Sequence, residues 1–175
     1  MLNGINLKGL QQYVDLIKNA PNEAKSSYGI TATWDGGVKT IVNTHNQKVG
    51  SKEIKKDFHF QIGEPKELLG DNSLPTPQDY LLGGLAGCMM VGFVVEASKR
   101  DIQLKSVKLT IEGDLDLRGF LKISADVPIG FDKVFFHFDV EGNGSKEQYD
   151  EIVASVQQFS PNYKTIADPV EFALR

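Results

Sequence analysis

Cysteine is the side chain here best suited to covalent and redox chemistry, and it occurs once, at Cys88. A thiolate attacks electrophilic oxygen or sulfur, and a peroxide converts it to a sulfenic acid. Cys88 sits between Gly83, Gly84, Gly87 and Gly92, in a run that also holds Leu81, Leu82, Leu85, Met89, Met90, Phe93, Val94 and Val95. Activation needs a positive neighbour or a helix N-terminus. At ~1.5 Å per residue Cys88 lies ~15 Å from the start of its helix, where the dipole gives little help. Lys39, Arg118, a histidine or a second chain would have to supply the charge. Without such a partner, Cys88 reads as a small buried hydrophobe.

Other candidates for chemistry are weaker. His45, His59 and His137 are scattered over a loop and two strands, and no pair has metal-site spacing, so neither a metal nor any other cofactor is expected. Arg118 adjoins Gly119 in a loop, where a salt bridge or turn contact is its plain role. Gly142-Asn143-Gly144 lacks the glycine fingerprint of a phosphate loop.

The periodicity says which elements position these residues. Asn6 can cap a helix to about Ala20, with Leu7, Leu10, Tyr13, Val14 and Ile17 on one stripe. Tyr28–Trp34 and Val38–Asn43 alternate around Asp35-Gly36-Gly37, a hairpin signal. Thr44–Lys52 reads as a loop or second turn, and Lys56–Ile62 as a third strand. After an ordered loop over Gly63–Pro77, the helix bearing Cys88 is expected from about Gln78 to Arg100. It has almost no polar face and must be covered all round; its four glycines imply close approach of another helix or a sheet. Strands follow at Ser106–Leu117 and Lys133–Glu141, then a helix capped by Ser145. Ser160-Pro161 ends that helix or begins the next, and Pro169–Leu174 alternates as a final strand. This order predicts an α+β fold.

The chain of 175 residues carries 19 basic and 23 acidic residues, a net charge of −4. Its length fits one domain, taken as residues 1–175 with 1–22 an N-terminal helical arm. A mildly acidic balance argues against nucleic acid or an anionic membrane as partner. The uncharged run Tyr80–Val95 spans 16 residues, short of the ~20 that cross a bilayer, and reads as a buried core helix. The start of the sequence lacks the pattern of a signal peptide, and a lone cysteine fits a reducing compartment, so a cytoplasmic location is expected.

The segment Pro75-Thr76-Pro77-Gln78-Asp79-Tyr80-Leu81-Leu82-Gly83-Gly84-Leu85-Ala86-Gly87-Cys88-Met89-Met90 resembles the signature of the OsmC/Ohr family: a proline, acidic residues, a Leu- and Ala-rich helix, then the cysteine. Leu115-Asp116-Leu117-Arg118-Gly119 looks like the family's strand end and loop, and Val134–Val140 like its next strand. Ser160-Pro161 matches the start of its last helix, and Pro169-Val170 the last strand. The resemblance implies an intertwined homodimer with antiparallel sheets wrapped around two long central helices. It also implies, in active members, a thiol peroxidase acting on small organic hydroperoxides, in which a second cysteine resolves the sulfenic acid and an arginine and a glutamate hold thiolate and substrate.

Carried onto this sequence, the resemblance makes Cys88 the attacking residue. The resolving position is Ser160, which cannot form a disulfide. The glutamate position, ten residues before the cysteine, is Gln78, with Asp79 beside it as a substitute. The first hairpin, Tyr28–Asn43, contains no arginine; Lys39 is its nearest cation and lacks the guanidinium fork. The expected function is therefore a one-cysteine peroxidase that draws on an external thiol reductant. The alternative is a non-catalytic relative that binds a lipophilic small molecule in an apolar pocket at the dimer interface.

Overall fold

Asn6 starts the first helix by satisfying one of its free donors. In the computed structural model, which describes residues 1–174, the Asn6 side-chain oxygen accepts from Gly9 N–H at 3.0 Å and α1 runs Leu7–Asn19. A 3₁₀ turn at Pro21–Ala24 leads to β1 (Ser26–Ser27), β2 (Ile30–Trp34), β3 (Thr40–Thr44), β4 (Gln47–Val49), β5 (Lys52–Ile54) and β6 (His59–Ile62). The Asp35-Gly36-Gly37 signal makes the β2–β3 turn: Asp35 N–H donates to Lys39 O at 2.9 Å, and both glycines have positive φ. The antiparallel strands form two three-stranded sheets, in the orders β1-β4-β5 and β2-β3-β6. The stretch read as a loop or second turn, Thr44–Lys52, contains such a turn at Gly50-Ser51, flanked by strands of three residues each, too short to show as alternation.

These elements belong to one of two compact units, Asn6–Leu81. Among the described residues of this unit, Val42 is the one fully buried hydrophobic side chain, whereas Tyr28, Ile30, Trp34, Phe58 and Leu69 are exposed. The Phe60 and Tyr80 rings stack 4.6 Å apart, and Tyr80 Oη donates to Gln61 O.

The second unit joins Met1–Ile5 to the chain from Leu82 onward. It contains most of α2 (Pro77–Lys99), then β7 (Leu104–Gly113), α3 (Leu117–Phe120), β8 (Val134–Gly142), α4 (Lys146–Phe159) and α5 (Pro161–Ala167). Strands β7 and β8 pair antiparallel, with Leu109 opposite Phe138 and Ile111 opposite Phe136. An irregularity between Leu104 and Ser106 shifts the register, so that Leu104 and Val107 both reach the core despite their odd spacing. Ser145 and Gln148 close a reciprocal capping box at the start of α4.

The core is built on a stripe of α2 at four-residue spacing: Leu85, Met89, Phe93 and Ala97, with Ile102, Ile152 and Val156 against it. Phe93 stacks on Phe138 at 4.8 Å. At 23 residues with mean hydropathy 1.7, α2 would pass for a membrane span by length and composition; its buried stripe makes it the core helix of this unit. A single chain does not supply the cover expected all round: this stripe and Ser98 are buried, while Gly83, Gly87 and Val91 are exposed. The expected close approach at the glycines is also absent from the single chain. A Cβ at Gly83 or Gly87 would meet nothing within 4 Å, and at Gly92 only an ordinary contact with Val156 at 3.5 Å.

Pro169–Leu174 forms no strand either, because no described strand hydrogen-bonds to it. Ser160-Pro161 begins a helix as well as ending one.

Asn3, which carried no signal in the sequence, fastens the N-terminus to this unit. Its amide donates to Ser98 Oγ at 3.0 Å and Ile102 O at 2.8 Å, and its oxygen accepts from Leu104 N–H at 2.9 Å. Its φ of 51° is a left-handed conformation that asparagine tolerates better than most residues. Three part-buried hydrogen bonds at about 1 kcal/mol each, counted as not fully additive, predict that Asn3→Ala costs about 2 kcal/mol. Urea unfolding should show this as a lower midpoint with unchanged slope.

Candidate functional site

Cys88 lies half-buried on α2, and its partner is set by the junction of α4 and α5. Ser160 N–H closes α4 on Val156 O at 2.9 Å, while its Oγ accepts from Tyr163 N–H at 3.4 Å to cap α5. Two helix ends therefore fix one side chain, which is 5% exposed. The remaining hydroxyl proton is donated to Cys88 Sγ across 3.3 Å. One turn earlier on α2, Asn162 Nδ2 donates to Gly84 O at 2.8 Å and pins α5 to the cysteine's helix.

A groove of about 880 Å³ opens beside this pair. Its walls are mainly apolar, with Val91 and Val95 on α2 and Val156 and Phe159 on α4. Towards the end of α2 it reaches Glu96 and Lys99, which are paired at 2.8 Å. Phe159 stands 71% exposed on the rim. Asn162 and Phe159 had no sequence signal, since nothing in the chain order says that the α4–α5 corner returns to the middle of α2.

The other sequence candidates lie elsewhere, each with its own local partner. Gln78 and Asp79 occupy the exposed first turn of α2, in the Asn6–Leu81 unit. Asp79 Oδ2 accepts from Thr76 N–H and Thr76 Oγ1, both at 2.8 Å, in a helix-capping arrangement. These bonds, the backbone one foremost, hold its carboxyl below the usual range. In the same unit Lys39 pairs with Asp71 at 2.8 Å. That ammonium, with Ser73 behind it, holds the Asp71 carboxyl far below its ordinary value.

Arg118 wraps Asp116, with Nε 3.0 Å from both carboxylate oxygens, and does not line the Cys88 groove. The guanidinium lowers Asp116 to about 2. His45 bonds Thr31 and His137 bonds Asp139. Among the described residues, no three His, Cys, Asp or Glu side chains converge as a metal site requires. The structure brings together Cys88 and Ser160, and leaves Lys39 and Arg118 held by carboxylates of their own.

The family profile described as OsmC-like protein matches residues 70–175, the span that carries α2, the β7–β8 pair and the Cys88–Ser160 contact. The chain belongs to the OsmC-like family. Solved structures share its fold. An OsmC-like protein from Mycoplasma pneumoniae superposes with a TM-score of 0.63 at 18% identity, over 81% of this chain and 88% of the other. An organic hydroperoxide resistance protein OsmC from Legionella pneumophila gives 0.54 at 22%, over 82% and 93%. One from Elizabethkingia anophelis, with thiocyanate bound, gives 0.60 at 17%, over 83% and 91%. No curated protein matches the sequence. In this OsmC-like chain the mixed helix-and-sheet architecture expected from the sequence is present.

The Asp79 cap predicts a pH dependence. Its folded pKa lies below its ordinary 3.8, so the unfolded chain binds the proton more readily. The cap's contribution is complete above that ordinary value and is lost as pH falls through the depressed one. Asp79→Ala should therefore be less stable than wild type at pH 7, and the gap should close only below the ordinary carboxylate range. Urea titrations at several pH values measure it.

Proposed function

We propose that this protein is a one-cysteine peroxidase of the OsmC-like family, acting on organic hydroperoxides through Cys88 with an external thiol as reductant. The observation that carries this reading is the 3.3 Å bond from Ser160 Oγ to Cys88 Sγ at the edge of an apolar groove. It is supported by family membership and by fold neighbours described as organic hydroperoxide resistance proteins, which together point to a redox or stress-response role.

The Cys88 thiolate attacks the terminal peroxide oxygen. The O–O bond breaks, the alkoxide leaves and takes a proton to become an alcohol, and the sulfur, oxidised by two electrons, becomes a sulfenic acid. This chain holds no second cysteine, so resolution falls to an external thiol. One thiol displaces water from the sulfenic acid to give a mixed disulfide, and a second releases Cys88 and leaves as the oxidised reductant. Ser160 holds the sulfur in position, and the apolar walls accept the organic part of the peroxide. Gln78, Asp79, Lys39 and Arg118 enter as supporting residues only if assembly brings one of them to the groove.

Two chains are expected to associate. The uncovered face of α2 and the nearly coreless Asn6–Leu81 unit support a homodimer, of about twice 19.3 kDa. A reducing, cytoplasmic setting suits its single free thiol.

A second reading is favoured by the capture of Lys39 by Asp71 and Arg118 by Asp116: without a cation at the sulfur, the groove serves a non-catalytic protein that binds a lipophilic small molecule.

Intact mass after cumene hydroperoxide treatment, with a sulfenic-acid trap, separates the two. Rapid addition of one oxygen, abolished in Cys88→Ser and reversed by dithiothreitol, is the expected result. Oxidation no faster than free cysteine would retire the peroxidase. Ser160→Cys places a second sulfur where the hydroxyl now touches Cys88, and peroxide should then produce an intrachain disulfide, read as a loss of two hydrogens, in place of the trappable sulfenic acid.

A further inference from the structure

The groove beside Cys88 ends in a pair of opposite charges. Cys88, Gly92, Val95 and Lys99 follow one another at helical spacing, so they share one stripe of α2, and all four line the groove. At ~1.5 Å per residue, Lys99 stands ~16 Å along the helix from Cys88 and Glu96 ~12 Å. Both charged heads sit nearer than that. Helical side chains lean towards the N-terminus, and the Lys99 ammonium reaches back to Glu96 Oε1 at 2.8 Å. Gly92 and Val95 lie between this pair and the sulfur, with Ser155 on the α4 wall.

We infer that this groove binds the external reductant, and that the reductant is a small monothiol ending in an amino-acid zwitterion. Its ammonium goes to Glu96, its carboxylate to Lys99 and its sulfur to Cys88. The inference rests on the peroxidase reading and names the class of thiol that completes its cycle.

Charge selects this class. Glu96 and Lys99 present both signs 2.8 Å apart, so a ligand of one sign is attracted by one head and repelled by the other. A group with both signs meets a partner for each. The pair gives way readily: its side chains are 24% and 49% exposed, and an ion pair open to water is weakly held. The zwitterion replaces it with two charge-assisted hydrogen bonds. Size agrees with charge. The lean of the side chains leaves on the order of 10 Å between the heads and the sulfur, about three extended residues at ~3.3 Å each. A thiol the size of a tripeptide spans that length.

Ser160 occupies the other side of the sulfur at 3.3 Å, so a second sulfur has to arrive through the groove. The thiol enters once the alcohol made from the peroxide has left. Its sulfur bonds to Cys88 Sγ, and the sulfenic hydroxyl leaves as water with the thiol's proton. A second thiol attacks the outer sulfur, which returns Cys88 as a thiol and releases the symmetric disulfide.

Thiol exchange tests this without any peroxide. Cys88 is converted to its thiopyridyl disulfide with dithiodipyridine, and release of thiopyridone is followed with glutathione, N-acetylglutathione and mercaptoethanol. Each rate is divided by that thiol's rate with free dithiodipyridine, which removes differences in nucleophilicity. Glutathione is expected to saturate the protein and to run several-fold ahead of the other two. Glu96→Gln should abolish its lead over N-acetylglutathione, which lacks the ammonium. Lys99→Gln should raise the glutathione concentration needed for saturation. Rates that rise linearly and equally overturn the inference, as does a lead for N-acetylglutathione or a preference that survives Glu96→Gln. Peroxide oxidation of Cys88 without saturation by glutathione overturns the reductant and leaves the peroxidase standing. Saturation in a protein whose Cys88 ignores peroxide supports the thiol site and retires the peroxidase. The wild-type comparison of the three thiols decides the matter even if a variant does not fold.

Discussion

A helix that is apolar on every side has to be covered on every side, and one copy of this chain covers one side of α2. Leu85, Met89, Phe93 and Ala97 are sealed by β7, β8 and α4, while Gly83, Gly87 and Val91 face outward. The rest of the architecture answers to that shortfall. Among the described residues all but one of the buried hydrophobic side chains lie on the sealed stripe or pack against it, and the Asn6–Leu81 unit is left with two small sheets and hardly a core. A unit so poor in burial gains too little from the hydrophobic effect to offset the entropy of ordering its chain. At Gly83 and Gly87 nothing lies within 4 Å of where a Cβ would stand, so α2 keeps a low outward surface there, as the homodimer proposed above requires.

The chemistry grows from the same helix. Cys88 borders the sealed stripe, close enough to the core for α4 and α5 to reach it and far enough out to line an open groove. Ser160 is held by two helix ends, so its hydroxyl has little freedom, and the contact with the sulfur is a by-product of the α4–α5 corner. A serine there bonds the sulfur and cannot form a disulfide with it, so the proposed peroxidase cycle depends on a thiol from outside the chain.

The charged residues that the sequence offered for the site are engaged by partners of their own. Arg118 is paired with Asp116, two residues away, and Lys39 with Asp71, 32 residues along the chain but beside it in the fold. Asp79 spends its charge on the start of α2. Partners two or three residues apart, such as Asp116 for Arg118 and Thr76 for Asp79, cost little entropy to bring together, so they form unless a stronger field competes.

Much was legible in the sequence because it is written in local rules. Asn6 and Ser145 announce helix starts through the donors that follow them, Asp35-Gly36-Gly37 announces a turn that needs positive φ, and the Pro75–Met90 run carries the family resemblance. The alternation of Pro169–Leu174 was equally plain, yet alternation says only that a segment is suited to a strand; hydrogen-bonding partners make it one, and no strand of this chain provides them. The β4–β5 hairpin was read only as a loop or turn because its strands are three residues long, too short for Val49 and Ile54 to set up an alternation. Asn3, Asn162 and the 3.3 Å contact between Ser160 and Cys88 were decided by tertiary structure alone. They join residues 72 to 101 positions apart, and contacts at that range follow from how whole elements pack. The sequence determined the three longest helices and their starts and which residue can do redox chemistry, whereas the short helix Leu117–Phe120, read as a strand end and loop, was not legible in it. Packing decided what stands beside that residue, because the neighbours of a side chain are set by the shape of the core, which no local pattern encodes.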